Sequence, residues 1–164
     1  MKIFGIVGFK NAGKTGLMER LVTEIVARGF TVSTIKHAHH TFDVDQPGKD
    51  SFRHRKAGAQ QVLLSSNTRW ALMSELRNAP EPPLSDLLKQ LAPVDLILVE
   101  GYKRDAHPKI EAMRAENNHP VLAGSDETVR AVAADHNADV PVPCFDLNDT
   151  TTIADFILDE VGLT

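Results

Sequence analysis

The sequence has 164 residues, of which 42% are hydrophobic and 24% charged, as expected for one globular domain whose core is large enough to fold alone. Its net charge of −4 argues against a general nucleic-acid-binding role, and its single cysteine, Cys144, excludes an intramolecular disulfide and a multi-cysteine metal site. No apolar segment approaches the roughly 18 residues of a membrane span, and the amino terminus lacks a signal-peptide pattern, so we expect a cytoplasmic protein.

The first elements along the chain are a strand, a glycine-containing loop and a helix. Residues 2–7 form an apolar run typical of a buried strand, and residues 16–28 place apolar side chains at helical spacing. The loop between them, residues 8–15, is Gly-Phe-Lys-Asn-Ala-Gly-Lys-Thr, which matches the G-x-x-x-x-G-K-T pattern of a P-loop. The strand before it and the helix after it are the context that this motif requires.

A P-loop binds phosphate groups mainly through its backbone. Glycines let the loop approach an anion closely, and successive N–H groups around residues 11–15 form a concave anion site. The start of the following helix adds free N–H groups and a positive dipole end. We expect Lys14 to reach the β- and γ-phosphates and the Thr15 hydroxyl to ligate Mg²⁺. The predicted nucleotide-binding residues are Gly8, Lys10, Asn11, Ala12, Gly13, Lys14, Thr15, Gly16 and, from a later loop, Gly101.

The remaining chain alternates predicted strands and helices, which indicates an α/β fold. Strand 31–36 follows the first helix at once, which predicts a parallel pair with the first strand through a right-handed crossover. The later predicted elements are a helix at 52–57, a hairpin at 61–65 and 69–73, a helix at 85–91, a buried strand at 95–99, an edge strand at 108–113, short strands at 121–123 and 129–133, an irregular segment at 138–149, and a helix at 150–161 capped by Asn148 or Asp149. We expect a single P-loop domain over residues 1–164, a P-loop NTPase-like three-layer sandwich whose central sheet is mostly parallel and, because of the hairpin, partly mixed.

Glu100 ends the unbroken apolar run Leu96-Ile-Leu-Val99. In P-loop proteins the strand beside the first strand ends in the acidic residue that helps to hold Mg²⁺. We therefore expect Glu100 to contact Mg²⁺ or orient the attacking water, and Gly101 to offer its N–H to the γ-phosphate. Aspartate is the usual residue at this position, so glutamate argues against fast hydrolysis.

Three histidines, His37, His39 and His40, follow the second strand. With Asp43 or Asp45 they are candidate ligands for Zn²⁺ or Ni²⁺. Alternatively, the loop is a switch or anion-binding surface near the γ-phosphate, or simply a solvated loop beside a basic helix.

The base of the nucleotide is not determined by these motifs. The common guanine-reading pattern Asn/Thr-Lys-x-Asp is absent, although a carboxylate is the group that recognises N1–H and the 2-amino group of guanine. Asp126 and Asp149 are candidates because they lie in late loops. The residues alone leave GTP and ATP equally acceptable.

Four motifs in chain order resemble the MobB family of P-loop proteins, which is linked to molybdopterin guanine dinucleotide synthesis. They lie within residues 8–15, 34–40, 45–59 and 99–109, and they include Thr-Ile-Lys-His-Ala-His-His and Val-Glu-Gly-Tyr-Lys. The resemblance extends to about residue 123 and is loose over the last 40 residues.

The resemblance implies GTP and Mg²⁺ as ligands, at most weak intrinsic GTPase activity, and a homodimer. It also implies an adapter role beside the MobA-type guanylyltransferase that joins GMP to the molybdenum cofactor, with molybdopterin-loaded proteins as further partners. Two alternatives remain: a small-molecule kinase, for which the basic run 53–56 would serve as a short lid, and a metallochaperone-type GTPase that uses the histidine loop.

Overall fold

The computed structural model describes residues 1–38, 42–117 and 119–163. Its strands are β1 (Lys2–Val7), β2 (Val32–Lys36), β3 (Gln61–Ser65), β4 (Trp70–Ser74), β5 (Leu96–Glu100), β6 (Lys109–Met113), β7 (Val129–Ala134) and β8 (Cys144–Asp146). Its α-helices are α1 (Lys14–Ala27), α2 (Asp50–Lys56), α3 (Leu84–Leu88) and α4 (Thr150–Val161), and a short 3-10 helix spans Ala115–Asn117. No helix of the described residues is long and apolar enough to cross a membrane.

Six strands form one sheet in the order β2-β5-β1-β6-β7-β8. Every neighbouring pair in this sheet is parallel, so the carboxyl ends of all six strands meet at one edge. The chain order reverses on either side of β1, which is where open α/β sheets place their ligand crevice. The loop that follows β1 therefore begins at the centre of the edge where a ligand is expected.

One face of this sheet is covered by α1 and α4. Both helices have an apolar stripe at helical spacing, which they bury against the sheet. Phe4 and Ile6 of β1 are fully buried in this core and fix the strand from which the loop departs. The buried helix residues of the core are Leu17, Met18, Leu21, Ile25, Ile153, Ala154, Ile157, Leu158 and Val161.

The opposite face has a smaller core and two buried ionisable side chains. Val7, Val132 and Ala123 are buried there, and partly buried residues of the segment 138–142 pack against them. Lys109 and Glu111, both on β6, are 0% and 1% exposed. Because charged and apolar residues alternate in this strand, the sequence predicts an edge strand. Instead, β6 lies between β1 and β7, and its charged side chains are buried with polar partners.

The chain divides into two compact units, residues 1–37 with 88–164 and residues 38–87. The first contains the six-stranded sheet, and the second contains α2 and the antiparallel β3–β4 hairpin. Arg55 of α2 organises the second unit, because its guanidinium pairs with Asp43, Asp45 and Glu75 at 2.6, 3.0 and 2.9 Å. The single domain over residues 1–164 stays a prediction.

The predicted α/β P-loop NTPase-like fold, with its mostly parallel sheet and flanking helices, is confirmed, and four details besides the inner position of β6 are corrected. The hairpin forms its own sheet, so it does not make the central sheet mixed. Strand β5 separates β1 from β2, so these two strands are not direct neighbours. Residues 121–123 form no strand, and β8 lies inside the segment predicted to be irregular. Strand β8 has only three residues, too few to show a period in the sequence.

Candidate functional site

The loop between β1 and α1 adopts backbone conformations that favour glycine. Gly8, Asn11 and Gly13 have φ values of 142°, 64° and 89°. A Cβ on Gly8 would lie 2.5 Å from the carbonyl oxygen of Ala112, so this position has room only for glycine. The loop therefore lies close against the end of β6.

Helix α1 begins at Lys14 without a side-chain cap. Its N-cap is Gly13, which has no side chain to accept a hydrogen bond from the N–H groups of the first turn. A helix start of this kind presents unsatisfied N–H donors and a positive dipole end. An anion bound there would satisfy these donors, so the local structure fits the phosphate groups that the motif predicts.

The Lys14 side chain folds back over the loop. Its Nζ donates to the carbonyl oxygen of Phe9 at 2.6 Å. Burial lowers the pKa of Lys14 below its ordinary value, the carboxylate of Glu100 raises it, and the charges of Lys103 and Lys36 lower it further. The Lys14 ammonium group thus lies in a partly desolvated and cationic surrounding, where a phosphate group would be a favourable partner.

Glu100 ends β5 at the same edge and is 8% exposed. The register places it beside Ile6 of β1 and Lys36 of β2. Its Oε1 atom forms an ion pair with Lys36 Nζ at 2.9 Å. The carboxylate is thus near the loop, as the sequence predicts, but it is paired with a lysine that sequence reasoning did not assign to the site.

The expected contact of Gly101 with the γ-phosphate does not fit this structure. Its N–H donates to the carbonyl oxygen of Ile6 at 3.1 Å, so the donor is already used. Gly101 has a φ of 93°, and a Cβ there would lie 2.9 Å from Cβ of His37. The glycine is needed for a close crossing of two loops.

The phenyl ring of Phe9 lies between two polar side chains. Lys103 Nζ is 4.1 Å from its centroid, and the ring of His119 stacks on it at 4.3 Å. The carbonyl of the next residue, Lys10, accepts a hydrogen bond from Asn117 at 3.4 Å. These contacts hold the first half of the loop through the Phe9 ring and the Lys10 carbonyl, and a phosphate contact of the Lys10 side chain stays a prediction.

An open cleft of about 360 Å³ lies over the loop and the start of α1. Six of the predicted residues, Asn11 to Gly16, line it, together with two residues that sequence reasoning missed, Arg114 and Glu116. A Cβ added to Gly13 would be 3.2 Å from Arg114 Nε, which shows that the guanidinium lies against this glycine. The one sequence signal for Arg114 is its place directly after a strand, but only the strand order puts that strand beside β1.

The residues present fit Mg²⁺ bound together with a nucleotide. The Thr15 hydroxyl and the Glu100 carboxylate are hard oxygen donors, and in such sites phosphate and water oxygens complete the shell. Within residues 1–38, 42–117 and 119–163 no group of three or more His, Cys, Asp or Glu side chains is arranged to hold a metal alone. A metal at the loop would therefore depend on the nucleotide.

The predicted histidine cluster is described only in part. The ring of His37 lies 4.7 Å from that of Tyr102 in a tilted arrangement. His39 and His40 lie outside the described residues.

The two candidate guanine readers lie at opposite edges of the sheet. Asp126 precedes β7, and its carboxylate accepts from Thr128 and lies 3.9 Å from Lys109 Nζ. It is therefore at the amino edge, away from the loop, and does not suit a base whose phosphates lie there. Asp149 is at the carboxyl edge, where its carboxylate caps α4 by accepting from Thr152.

Comparison with known proteins places these features in a family. The family model described as "Molybdopterin guanine dinucleotide synthesis protein B" matches residues 3–135. Proteins named molybdopterin-guanine dinucleotide biosynthesis adapter protein are similar to this chain: the Haemophilus influenzae protein is 43% identical, covering 94% of this chain and 86% of its own length. The Escherichia coli protein is 39% identical, covering 96% and 91%.

Solved structures agree with these relatives. The crystal structure of a MobB protein homologue from Bacillus stearothermophilus aligns over 100% of both chains with a TM-score of 0.73 and 30% identity. The Bacillus subtilis MobB structure covers 98% of both chains with a TM-score of 0.78, and at 24% identity it supports the fold alone.

Proposed function

The chain belongs to the family of molybdopterin guanine dinucleotide synthesis protein B, and from this we propose that it binds GTP with Mg²⁺ and acts as an adapter when the molybdenum cofactor is converted to its guanine dinucleotide form. The observation that supports this most directly is the phosphate-binding loop. The uncapped start of α1 and Lys14 follow this loop, and Glu100 of β5 lies near them at the carboxyl edge of the parallel sheet.

Each residue would have a separate task. The N–H groups at the start of α1 bind phosphate oxygens, and Lys14 exchanges its bond with the Phe9 carbonyl for one to the β- and γ-phosphates. Thr15 and Glu100 hold Mg²⁺, which supplies positive charge next to the γ-phosphate. The guanine preference rests on the family, because Asp126 lies at the amino edge of the sheet and the carboxylate of Asp149 is engaged by Thr152 in capping α4.

Slow hydrolysis, if any, suits this arrangement better than fast turnover. The only acidic strand end beside β1 in the described residues is Glu100, and its Oε1 is held by Lys36. A carboxylate whose oxygen is engaged by an ammonium group has less negative charge to offer to Mg²⁺ than a free one. The kinase and metallochaperone readings gain no support from the family match.

We further propose a homodimer and a MobA-type guanylyltransferase as the partner of the adapter. The β3–β4 hairpin supports the dimer, since Leu63 lies directly opposite Leu72 and both are exposed, by 60% and 44%. Trp70 is 66% exposed on the same face of the hairpin. An apolar face of this kind is typical of a surface covered by another protein molecule.

Competition binding tests the nucleotide. Fluorescent GTP and ATP analogues with Mg²⁺ are titrated with the protein and displaced by GTP, GDP, ATP and GMP. Displacement by GTP at much lower concentration than by ATP is expected, and the opposite order would overturn the GTP proposal and favour a kinase.

Sedimentation tests the assembly. A dimer is expected for the wild-type protein, with a shift to monomer in a Leu72→Ser/Trp70→Ser variant. A wild-type monomer at tens of micromolar would contradict the dimer. Addition of the guanylyltransferase should produce a faster-sedimenting complex. If no such complex forms either with or without GTP, the proposed partner is wrong.

A further inference from the structure

Arg114 is a cation of the cleft over the loop for which the sequence motif has no role. It follows β6 directly and lines the cleft together with residues 11–16. Its guanidinium is close enough to Gly13 that a Cβ there would lie 3.2 Å from Nε and 3.5 Å from one terminal nitrogen. Gly13 thus allows the arginine to approach the loop.

The backbone around Arg114 is fixed, whereas its charge is available. The N–H of the next residue, Ala115, donates to Asp135 Oδ1 at 2.9 Å, and the carbonyl of Arg114 accepts from the N–H of Asn117 at 3.1 Å. Among the described residues no carboxylate lies within ion-pair distance of the Arg114 guanidinium, although the charge of Arg114 contributes to lowering the pKa of the nearby Asp135 carboxyl. An arginine placed by a rigid turn, exposed and without an ion pair, is suited to an anionic ligand.

The strand order determines which part of a nucleotide Arg114 would meet. Glu100 ends β5, on one side of β1, and Arg114 follows β6, on the other side. If Glu100 lies on the side of Mg²⁺ and the γ-phosphate, Arg114 lies on the side of the phosphates nearer the nucleoside. Its neighbour Leu147, which a Cβ on Gly13 would approach to 3.1 Å, is likewise on that side, after β8.

We infer that Arg114 is a second phosphate-binding cation, which contacts the α- and β-phosphates of the nucleotide held by the loop. This inference rests on the proposed nucleotide-binding function and adds a residue to it. Because it acts on the phosphates that GTP and GDP share, Arg114 contributes equally to both ligands and does not take part in γ-phosphate cleavage. Glu116, the acidic side chain in the same cleft, opposes the phosphate charge, and Arg114 offsets it.

The test compares Arg114→Ala and Arg114→Lys with the wild-type protein and with a matched control, Arg130→Ala. Arg130 is also exposed but lies at the start of β7, at the opposite edge of the sheet, where it pairs with Glu160. Affinities for GTP, GDP and GMP are measured with Mg²⁺, and the hydrolysis of bound GTP is followed in a single turnover.

Arg114→Ala should weaken GTP and GDP binding to a similar extent, by about 10- to 100-fold, as expected when a charge-assisted contact is lost. Arg114→Lys should recover part of the affinity, because it keeps the charge but loses the planar fork. Arg130→Ala should bind like the wild-type protein, and the single-turnover rate should be the same in all variants.

Affinities of Arg114→Ala within twofold of the wild-type values would overturn the inference. A normal affinity with slow cleavage would overturn it as well, since Arg114 would then act on the γ-phosphate. The variants are compared on whichever nucleotide the wild-type protein prefers, so a preference for ATP would overturn the proposed function alone. Circular dichroism melts check folding, and the exposed side chain makes both substitutions tolerable.

Discussion

Lys36 and Glu100 form an ion pair of 2.9 Å across the ends of two neighbouring parallel strands, β2 and β5. The two residues are 64 positions apart in the sequence and are brought side by side by the strand register. The pair lies near Lys14 of the loop, because the charge of Glu100 raises the pKa of Lys14 and the charge of Lys36 lowers it. The ion pair therefore joins the carboxylate that is expected to hold Mg²⁺ to a lysine that competes with the metal for this carboxylate.

Lys36→Met should lower the Mg²⁺ concentration that nucleotide binding requires. Without the lysine, the Glu100 carboxylate is free to attract the metal, and the half-saturating Mg²⁺ concentration for GTP binding should fall by about two- to fivefold. The effect is small because the Lys36 side chain is 58% exposed and screened by water. Lys36→Arg should retain the wild-type value. An unchanged or raised Mg²⁺ requirement in Lys36→Met would show that the lysine does not compete.

Glu100→Gln should separate hydrolysis from binding. The amide oxygen can still accept a hydrogen bond from Lys36, so the strand end keeps its geometry while the negative charge is lost. We expect the Mg²⁺-dependent release of phosphate to fall by about tenfold and the GTP affinity to change by less than about threefold. An unaltered hydrolysis rate would contradict the role assigned to Glu100.

Lys14→Ala should abolish triphosphate binding and leave the fold intact. Within the part of the chain that the structure describes, the Lys14 ammonium group donates one hydrogen bond, to the Phe9 carbonyl, and a phosphate group would replace it. We expect at least about a 100-fold loss of GTP affinity, with little change in thermal unfolding. Arg130→Ala, at the opposite edge of the sheet, is the control and should change the affinity by less than about threefold. Equal losses in both variants would mean that general positive charge, rather than Lys14, binds the phosphates.

Gly8→Ala should destabilise the fold, because the new Cβ would lie 2.5 Å from the backbone oxygen of Ala112 at a φ of 142°. A backbone oxygen cannot move aside as a flexible side chain can, so we expect a loss of about 2–4 kcal/mol in the free energy of unfolding. The control is Gly124→Ala, where nothing lies within 4 Å of the added Cβ. That variant should stay within about 0.5 kcal/mol of the wild-type protein in urea unfolding. Equal stabilities of the two variants would contradict the tight fit at Gly8.

His107 should make stability depend on pH in the mildly acidic range. Burial first, and then the charge of Lys109, lower the pKa of His107 below its ordinary 6.5, and its Nε2 is buried without a hydrogen-bond partner among the described residues. The unfolded chain therefore binds a proton at higher pH than the folded chain. Stability should thus fall as pH decreases from about 6.5 to the folded pKa, by up to about 1.4 kcal/mol per pH unit.

His107→Gln provides the control for this pH dependence. Its stability should be flatter over the same range. The carboxyl groups with lowered pKa, such as Asp126, lose their contribution only as pH falls below about 3.8 toward their folded pKa, so they do not obscure the histidine. A wild-type urea midpoint that stays constant between pH 7 and 5 would contradict the prediction.

Local patterns in the sequence predicted the elements that depend on neighbours along the chain. The strand, loop and helix over residues 2–28 are contiguous, so their motif and periodicity are visible without a fold. The apolar run that ends at Glu100 is long enough to indicate a fully buried strand. The cap of α4 by Asp149 follows from the residue type and its position.

The tertiary structure decided what depends on strand order and register, because these bring together residues that are far apart in the sequence. Whether Glu100 is free or paired was settled by the place of β5 between β2 and β1. The position of β6 beside β1 put Arg114 against Gly13 and buried Lys109, although the alternation of β6 predicts an exposed edge. The sequence alone thus determined the phosphate-binding loop, whereas the charges that surround it were determined by the packing of parallel strands.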